Sequence, residues 1–398
     1  MLSNELQIIE TPFNKTRKNN LYNNAKIIFM SLSGIAPIRF ILAVIFASLS
    51  SLTLNLSLIG FNVRDNNNNF NNFGFIRRKL LYIPQILARI TLFILGYYKI
   101  KENIPDKFIW KFNYLERKNS PKLIISNHIS MIDTIYFFCR GIPSSVASAN
   151  TLKLPIVGIA IEKLSPILVP TNNEQKNSLP NPSEQIKERL THSSIDNFKR
   201  PLIIFPEGST KNSKYLLKFQ KGAFENKITY QPVLLNYIYD NYDPSWTSDS
   251  GTFKSLYLMC CQFINYLEVT YLEPCNLKKD EIRQIYINKL NLIDSNLSNH
   301  DTHILKNHFD KINYIYKYIF QNGKTGVEYY KNKYNYDKDS ISKITQLFYE
   351  LDINKNGKID SKSFHKIVEN ILNKSISIKI DKLYSFEEII NILNNLRN

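Results

Sequence analysis

His128 and Asp133 are the residues of this chain best suited to chemistry. The run Leu123-Ile-Ile-Ser-Asn-His-Ile-Ser-Met-Ile-Asp133 is a buried-strand pattern that ends on a histidine, with an aspartate five positions further on. A histidine that takes a proton from a hydroxyl through one ring nitrogen needs a carboxylate on the other, to fix its tautomer and stabilise the imidazolium. On a regular helix a five-residue spacing turns two side chains apart. The pair can therefore meet only if His128 lies on a strand-to-helix turn and Asp133 on the first turn of the helix. Ser126 and Asn127 are cap-forming types, and 131–138 reads as an apolar helix.

A second strand pattern also ends abruptly in polar residues. Leu202-Ile-Ile-Phe runs into Pro206, Glu207 and Gly208, then Ser209, Thr210, Lys211 and Asn212. Glu207 can accept hydrogen bonds from a polyol, Gly208 permits close backbone approach, and Ser209 and Thr210 offer hydroxyls. Polar residues at the carboxyl ends of strands are where open α/β sheets bind ligands.

Three ordered blocks, Asn127-His128-x4-Asp133, Phe205-Pro-Glu-Gly208 and Tyr230-Gln-Pro-Val-Leu-Leu235, resemble the signature blocks of the glycerolipid acyltransferase superfamily. Phe205 to Asn212, followed by Phe219-Gln-Lys-Gly-Ala-Phe224, is most similar to the lysophosphatidylcholine and lysophosphatidylethanolamine acyltransferases. Phe29 to Arg39 looks like the segment that leads into the membrane in that family, so the resemblance covers roughly residues 25 to 275. It implies an acyl-CoA-dependent lysophospholipid acyltransferase of phospholipid synthesis or remodelling. His128 would act as general base on the free glycerol hydroxyl, oriented by Asp133, and the alkoxide would attack the acyl-CoA thioester. The thioester is already activated, so no acyl-enzyme and no cofactor are required. Asn127 and nearby N–H groups would face the oxyanion, and Pro206, Glu207, Gly208, Ser209 and Thr210 would position the acceptor.

One block departs from the family pattern. Members usually end a strand between the first two motifs on an arginine that holds the acceptor's phosphate, whereas Pro166-Ile-Leu-Val-Pro-Thr171 ends in proline and threonine. Either another cation takes over, with Lys218 and Lys221 preferred over Lys211 and Lys214, or the acceptor sits differently. Two alternatives share the motifs: a lysophosphatidic acid or glycerol 3-phosphate acyltransferase, and a catalytically inactive EF-hand membrane scaffold.

The formal charge of +17 over 398 residues suits anionic partners such as acyl-CoA and phospholipid headgroups. No nucleic-acid module or zinc-finger spacing is legible, so no nucleic-acid partner is expected. Cys139, Cys260, Cys261 and Cys275 form no paired framework, which fits a reducing setting. The expected location is an intracellular membrane, the endoplasmic reticulum first, with the Golgi or lipid-droplet surface as alternatives. Phe40 to Phe61 carries no charge and is long enough to cross or enter a bilayer, but Asn55 and its serines and threonines favour a re-entrant or interfacial hairpin nearly as much. Leu80 to Tyr98, broken by Pro84 and Arg89, suits a helix lying along the surface.

Five regions follow: a polar tail (1–25), membrane-embedded or interfacial helices (26–100), an acyltransferase domain (101–278), a helical connector (279–340) and an EF-hand-like domain (341–398). The domain's strands, at 123–126, 144–148, 167–169, 202–205, 229–235 and 267–272, alternate with helical patterns, which predicts an α/β sheet flanked by helices. Asn66 to Asn72 is a low-complexity insert, Thr171 to Ser183 a polar loop, and Glu184 to Phe198 an amphipathic helix. His300, Asp301, His303 and His308 read as a solvated helix face rather than a metal site. In the tail, Asp352-Ile-Asn-Lys-Asn-Gly-Lys-Ile-Asp-Ser-Lys-Ser363 follows the EF-hand loop, with Asp352, Asn354, Asn356, Lys358, Asp360 and Ser363 at ligand positions and Gly357 at the turn. Ser363 stands where a bidentate glutamate is needed, so only weak Ca2+ binding is expected. Ser385-Phe-Glu-Glu-Ile-Ile390 resembles the exit helix of an ion-free companion hand.

Overall fold

The computed structural model describes residues 11–15, 20–61, 73–105, 122–153, 157–162, 164–171, 173–191, 201–224, 228–247, 251–307, 314–372 and 382–397. The N-terminal helices are α1 (Leu21–Leu32), α2 (Ile35–Ser57), α3 (Phe75–Leu80) and α4 (Tyr82–Ile94). Next come β1 (Ile100–Asn103), β2 (Leu123–Ser126), α5 (Met131–Gly141), β3 (Ser144–Ser148), α6 (Val157–Glu162), β4 (Ile167–Val169), α7 (Asn173–Ser178) and α8 (Pro182–Thr191). They are followed by β5 (Leu202–Ile204), β6 (Tyr215–Leu216), β7 (Gln231–Ile238), α9 (Thr252–Cys260), β8 (Tyr266–Tyr271), α10 (Lys279–Leu290), β9 (Ile293–Asp294) and α11 (Asn299–Asn307).

Strand β2 is buried at every position, as a strand covered on both faces must be. Its side chains alternate between two cores. Ile124 joins Ile203, Val233, Leu235 and Leu267 with Ile132 and Tyr136 of α5, whereas Leu123 and Ile125 join Leu202, Ile204 and Leu234 with α8 and α10. The seven-stranded sheet runs β1-β8-β7-β2-β5-β3-β4, and β7–β8 is its antiparallel pair. This confirms the expected α/β sheet flanked by helices. β1 escaped the sequence pattern because Ile-Lys-Glu-Asn is barely strand-like; pairing with β8 and the Lys101–Glu268 ion pair at 2.7 Å hold it at the edge. The polar stretch expected to be a loop contains α7, and the helix after it runs from Pro182 to Thr191; residues 192–200 lie outside the described set.

Among the described residues α2 is the one helix long and apolar enough to cross a bilayer. Both of its ends also touch the rest of the fold. At its start, the Arg39 guanidinium donates to the carbonyls of Ile94, Cys260 and Gln262. Toward its end, Leu54 and Leu58 cluster with Ile142 and Leu164. Both ends therefore rest on the same α/β unit. Ala36, Ala43, Ser50 and Ser51 are buried and small, which lets α4 pack closely, and Ser50 donates to the Pro84 carbonyl at 2.7 Å. Ile38, Ile41, Leu42, Ile45, Leu49, Leu52 and Leu56 form the exposed face. Pro84 does not interrupt α4: it stands in the first turn, where its missing N–H has no intrahelical partner to lose.

The tail shares its core with the region before it. One cluster contains Ile304, Ile315, Ile319, Tyr330, Phe348, Ile367, Phe386 and Leu393, and so spans the division expected near residue 340. Phe13 is fully buried in the same cluster. Residues 11–15, within the stretch expected to be a polar tail, are thus packed; residues 1–10, 16–19 and the Asn66 to Asn72 insert lie outside the described set.

Candidate active site

The His128 loop is set by the helix that follows it. Ser130, not Ser126 or Asn127, is the N-cap of α5, and Asp133 at the third helical position closes a capping box with the Ser130 backbone. Asp133 is fully buried. Its Oδ2 accepts from the N–H groups of Ile129 (2.7 Å) and Ser130 (2.9 Å) and stands 2.8 Å from His128 Nδ1. The capping geometry thus bends the chain so that the five-residue spacing becomes a contact. Nδ1 donates to the carboxylate, and among the described residues Nε2 has no hydrogen-bond partner. The imidazole is 17% exposed and stacks on Phe205 at 4.1 Å, which fixes its plane.

Asp133 Oδ1 accepts from the Tyr237 hydroxyl on β7. Burial, then the Asp133 charge, push the Tyr237 phenol well above its usual range, so the proton stays on Tyr237. Sequence reading missed this residue because the expected strand stopped at 235, whereas β7 runs on to Ile238.

The second motif supports the His128 loop. Glu207 is fully buried: Oε1 accepts from the His128 N–H and Oε2 from the Leu217 N–H, both at 3.0 Å. Lys211 is also fully buried, 3.2 Å from Glu207. The Glu207 carboxylate therefore positions the His128 backbone. Asn127 is likewise occupied, exchanging two 2.9 Å hydrogen bonds with the Leu235 backbone and so locking β2 to β7. Each side chain satisfies buried backbone groups that would otherwise be unpaired.

The rest of the motif is split. Pro206 is buried. Gly208 is exposed at φ 71°, a left-handed conformation that favours glycine. Ser209 lies 3.2 Å from the Thr302 hydroxyl, and Thr210 donates to the Trp246 carbonyl, while the Trp246 N–H donates to the Ile129 carbonyl at 2.8 Å. The 242–247 segment thus bridges the His128 loop and the Glu207 loop. Asn212 binds the N-terminal segment through the carbonyls of Thr11 and Asn14.

The basic candidates diverge. Lys221 and Lys214 are exposed. Lys218, 3.9 Å from Glu328, lines a cavity of about 530 Å³ with Asn296, Lys324, Tyr329, Asn332 and Lys333. That lining includes neither His128 nor Asp133. Thr171 is exposed and bonded to Gln175. Asp301 is fully buried, accepting from Ser298 and Val327, so it belongs to the core and not to a solvated face. His300 is exposed; the His303 side chain and His308 lie outside the described residues.

A histidine oriented by a buried carboxylate, at the carboxyl end of a central parallel strand, is equipped to deprotonate a hydroxyl. Residues 97–236 match the Acyltransferase family. That segment holds His128, Asp133, Glu207 and most of the sheet. The chain is 31% identical over 257 residues to the lysophospholipid acyltransferase LPEAT1 of Arabidopsis thaliana, covering 58% of this chain and 64% of that protein. It is 33% identical over 238 residues to LPEAT2 of the same plant, covering 60% of this chain and 40% of that protein. A lysophosphatidylcholine acyltransferase of Drosophila melanogaster is 36% identical over 168 residues, covering 42% of this chain and 30% of that protein. The chain thus spans less than two thirds of the length of each of these relatives.

In the tail, the helix Lys338–Leu351 leads into the loop, and the strand Lys358–Asp360 pairs with Leu383–Ser385 through Ile359 and Tyr384. Helices Ser361–Leu372 and Phe386–Arg397 follow the two strands. Asp352, at the first loop position, is buried; it accepts from the Tyr314 hydroxyl (2.5 Å) and the Gly357 N–H (2.7 Å) through Oδ2. Asn356 accepts from the Lys358 N–H, and Asp360 from the Ser363 N–H. Among the described residues no three or more His, Cys, Asp or Glu side chains gather as a metal site.

Proposed function

We propose that this chain transfers a fatty acyl group from acyl-CoA to the free glycerol hydroxyl of a lysophospholipid. The observation that carries the reading is the His128 Nδ1 contact with Asp133 at 2.8 Å, which leaves Nε2 for a substrate hydroxyl. The similarity to lysophospholipid acyltransferases supports the acceptor class. His128 takes the hydroxyl proton as the oxygen attacks the thioester carbonyl, Asp133 stabilises the imidazolium, and the proton passes to the departing thiolate. No protein nucleophile is needed, because the thioester carbon is already electrophilic.

The N-terminal helices bring this chemistry to the lipid. With both ends of α2 resting on the α/β unit, the exposed leucines and isoleucines enter one face of a membrane, and α2 lies against the domain rather than crossing to the far side. The tail is an EF-hand-like scaffold. Its first-position carboxylate already serves Tyr314 and the Gly357 N–H, and Ser363 supplies no bidentate oxygens, so the loop fits Ca2+ poorly.

The test is incubation of the purified protein with lysolipids of differing headgroup and several acyl-CoAs, with products identified by mass. His128→Ala is expected to lower turnover by about 100-fold or more while membrane association persists. Near-normal turnover in that variant would overturn the base assignment.

A further inference from the structure

We propose that Tyr237 is a positioning residue for the reaction, holding the Asp133 carboxylate in the rotation that serves His128. The proposal rests on the His128 base reading. Asp133 receives four donors: His128, Ile129 and Ser130 on Oδ2, and the Tyr237 hydroxyl on Oδ1. The first three come from the loop and cap around Asp133 itself. Tyr237 alone comes from the sheet, on a strand hydrogen-bonded to β2. It therefore ties the carboxylate to the rigid part of the fold, and it withdraws charge from the oxygen that His128 does not use.

Among the described residues, the titratable groups facing this pair are few. Tyr237 comes from β7; Tyr97, whose buried hydroxyl has no hydrogen-bond partner among the described residues, packs edge-on to Tyr237 at 6.2 Å. Glu207, paired with Lys211, reaches the His128 backbone from the loop after β5. Asp243 and Tyr242 act on Tyr97 from the segment after β7. Removing the Tyr237 hydroxyl leaves Asp133 a stronger acceptor for the imidazolium, which raises the basicity of His128.

The experiment compares Tyr237→Phe with the parent in acyl transfer to a lysophospholipid across pH. A fall in kcat of roughly tenfold is expected, with both KM values within about twofold, and the acid limb of the kcat/KM profile should move to higher pH. Tyr97→Phe should leave rate and profile unchanged. The effect of Tyr237→Phe should nearly vanish in an Asp133→Asn background. If Tyr237→Phe fails to fold, 3-fluorotyrosine at position 237 keeps the shape and strengthens the donor, and it should move the acid limb to lower pH. An unchanged profile in these variants, with His128→Ala inactive, would overturn the role of Tyr237 and leave the base reading standing. An active His128→Ala would overturn the base reading itself.

Discussion

Replacing Asp133 by asparagine separates two things the carboxylate does, and the structure says which one is lost. Oδ2 accepts three donors at 2.7–2.9 Å, and Oδ1 accepts one from Tyr237. A carboxamide with its oxygen in the Oδ2 place keeps all three, and its NH2 meets a Tyr237 hydroxyl that can turn to accept. The opposite orientation sets an NH2 against three donors and forfeits about 3 kcal/mol, at roughly 1 kcal/mol per hydrogen bond. The imidazole therefore keeps its Nδ1–H tautomer, and what disappears is the negative charge. Exchanging a charge-assisted bond for a neutral one costs about 1–1.5 kcal/mol, which is roughly a tenfold fall in kcat. Single-turnover transfer from labelled acyl-CoA measures it, with a thermal melt to confirm the fold. A loss of about 10⁴-fold in a folded variant would mean that the tautomer had reversed and would refute the reasoning.

Three further outcomes follow from buried charges and the tail. Lys211→Met leaves the Glu207 carboxylate buried and unpaired and is expected to destabilise the protein by about 3–5 kcal/mol in denaturant titration, with the Glu207→Gln, Lys211→Met double variant recovering part of that loss. Burial raises the Asp301 carboxyl from 3.8 to about 6, so between these values the folded state binds more protons than the unfolded one. Stability from this group is therefore greatest at the acid end and declines by about 3 kcal/mol as pH rises from roughly 4 to 6, which urea midpoints of the parent and Asp301→Asn across that range will show. Ser363→Glu adds the missing bidentate carboxylate and is expected to tighten Ca2+ binding to the full chain at least about tenfold, or 1.4 kcal/mol, by titration calorimetry.

The strand pattern was legible because it is local. Runs bounded by polar punctuation located 123–126, 144–148 and 167–169 to the residue, and 123–126 is the one of the three buried at every position, as its hydrophobic composition requires. The His128 and Asp133 pairing was legible for a related reason: the spacing admits only one local geometry. Burial and partners were not legible, because they depend on what arrives from distant parts of the chain. Glu207 and Asn127 read as ligands for a substrate, but the sheet and the 207–217 loop turn both toward backbone groups that would otherwise be unsatisfied. Tyr237 lies 104 positions from Asp133 and meets it only because β7 pairs with β2. The course of α2 is decided in the same way. Its composition allows a crossing helix but does not show the contacts that Arg39 makes at one end and Leu54 and Leu58 at the other with the α/β unit. The sequence thus determined which segments are buried and which residues can react, while tertiary packing determined which polar groups are already paired and which remain to meet a substrate.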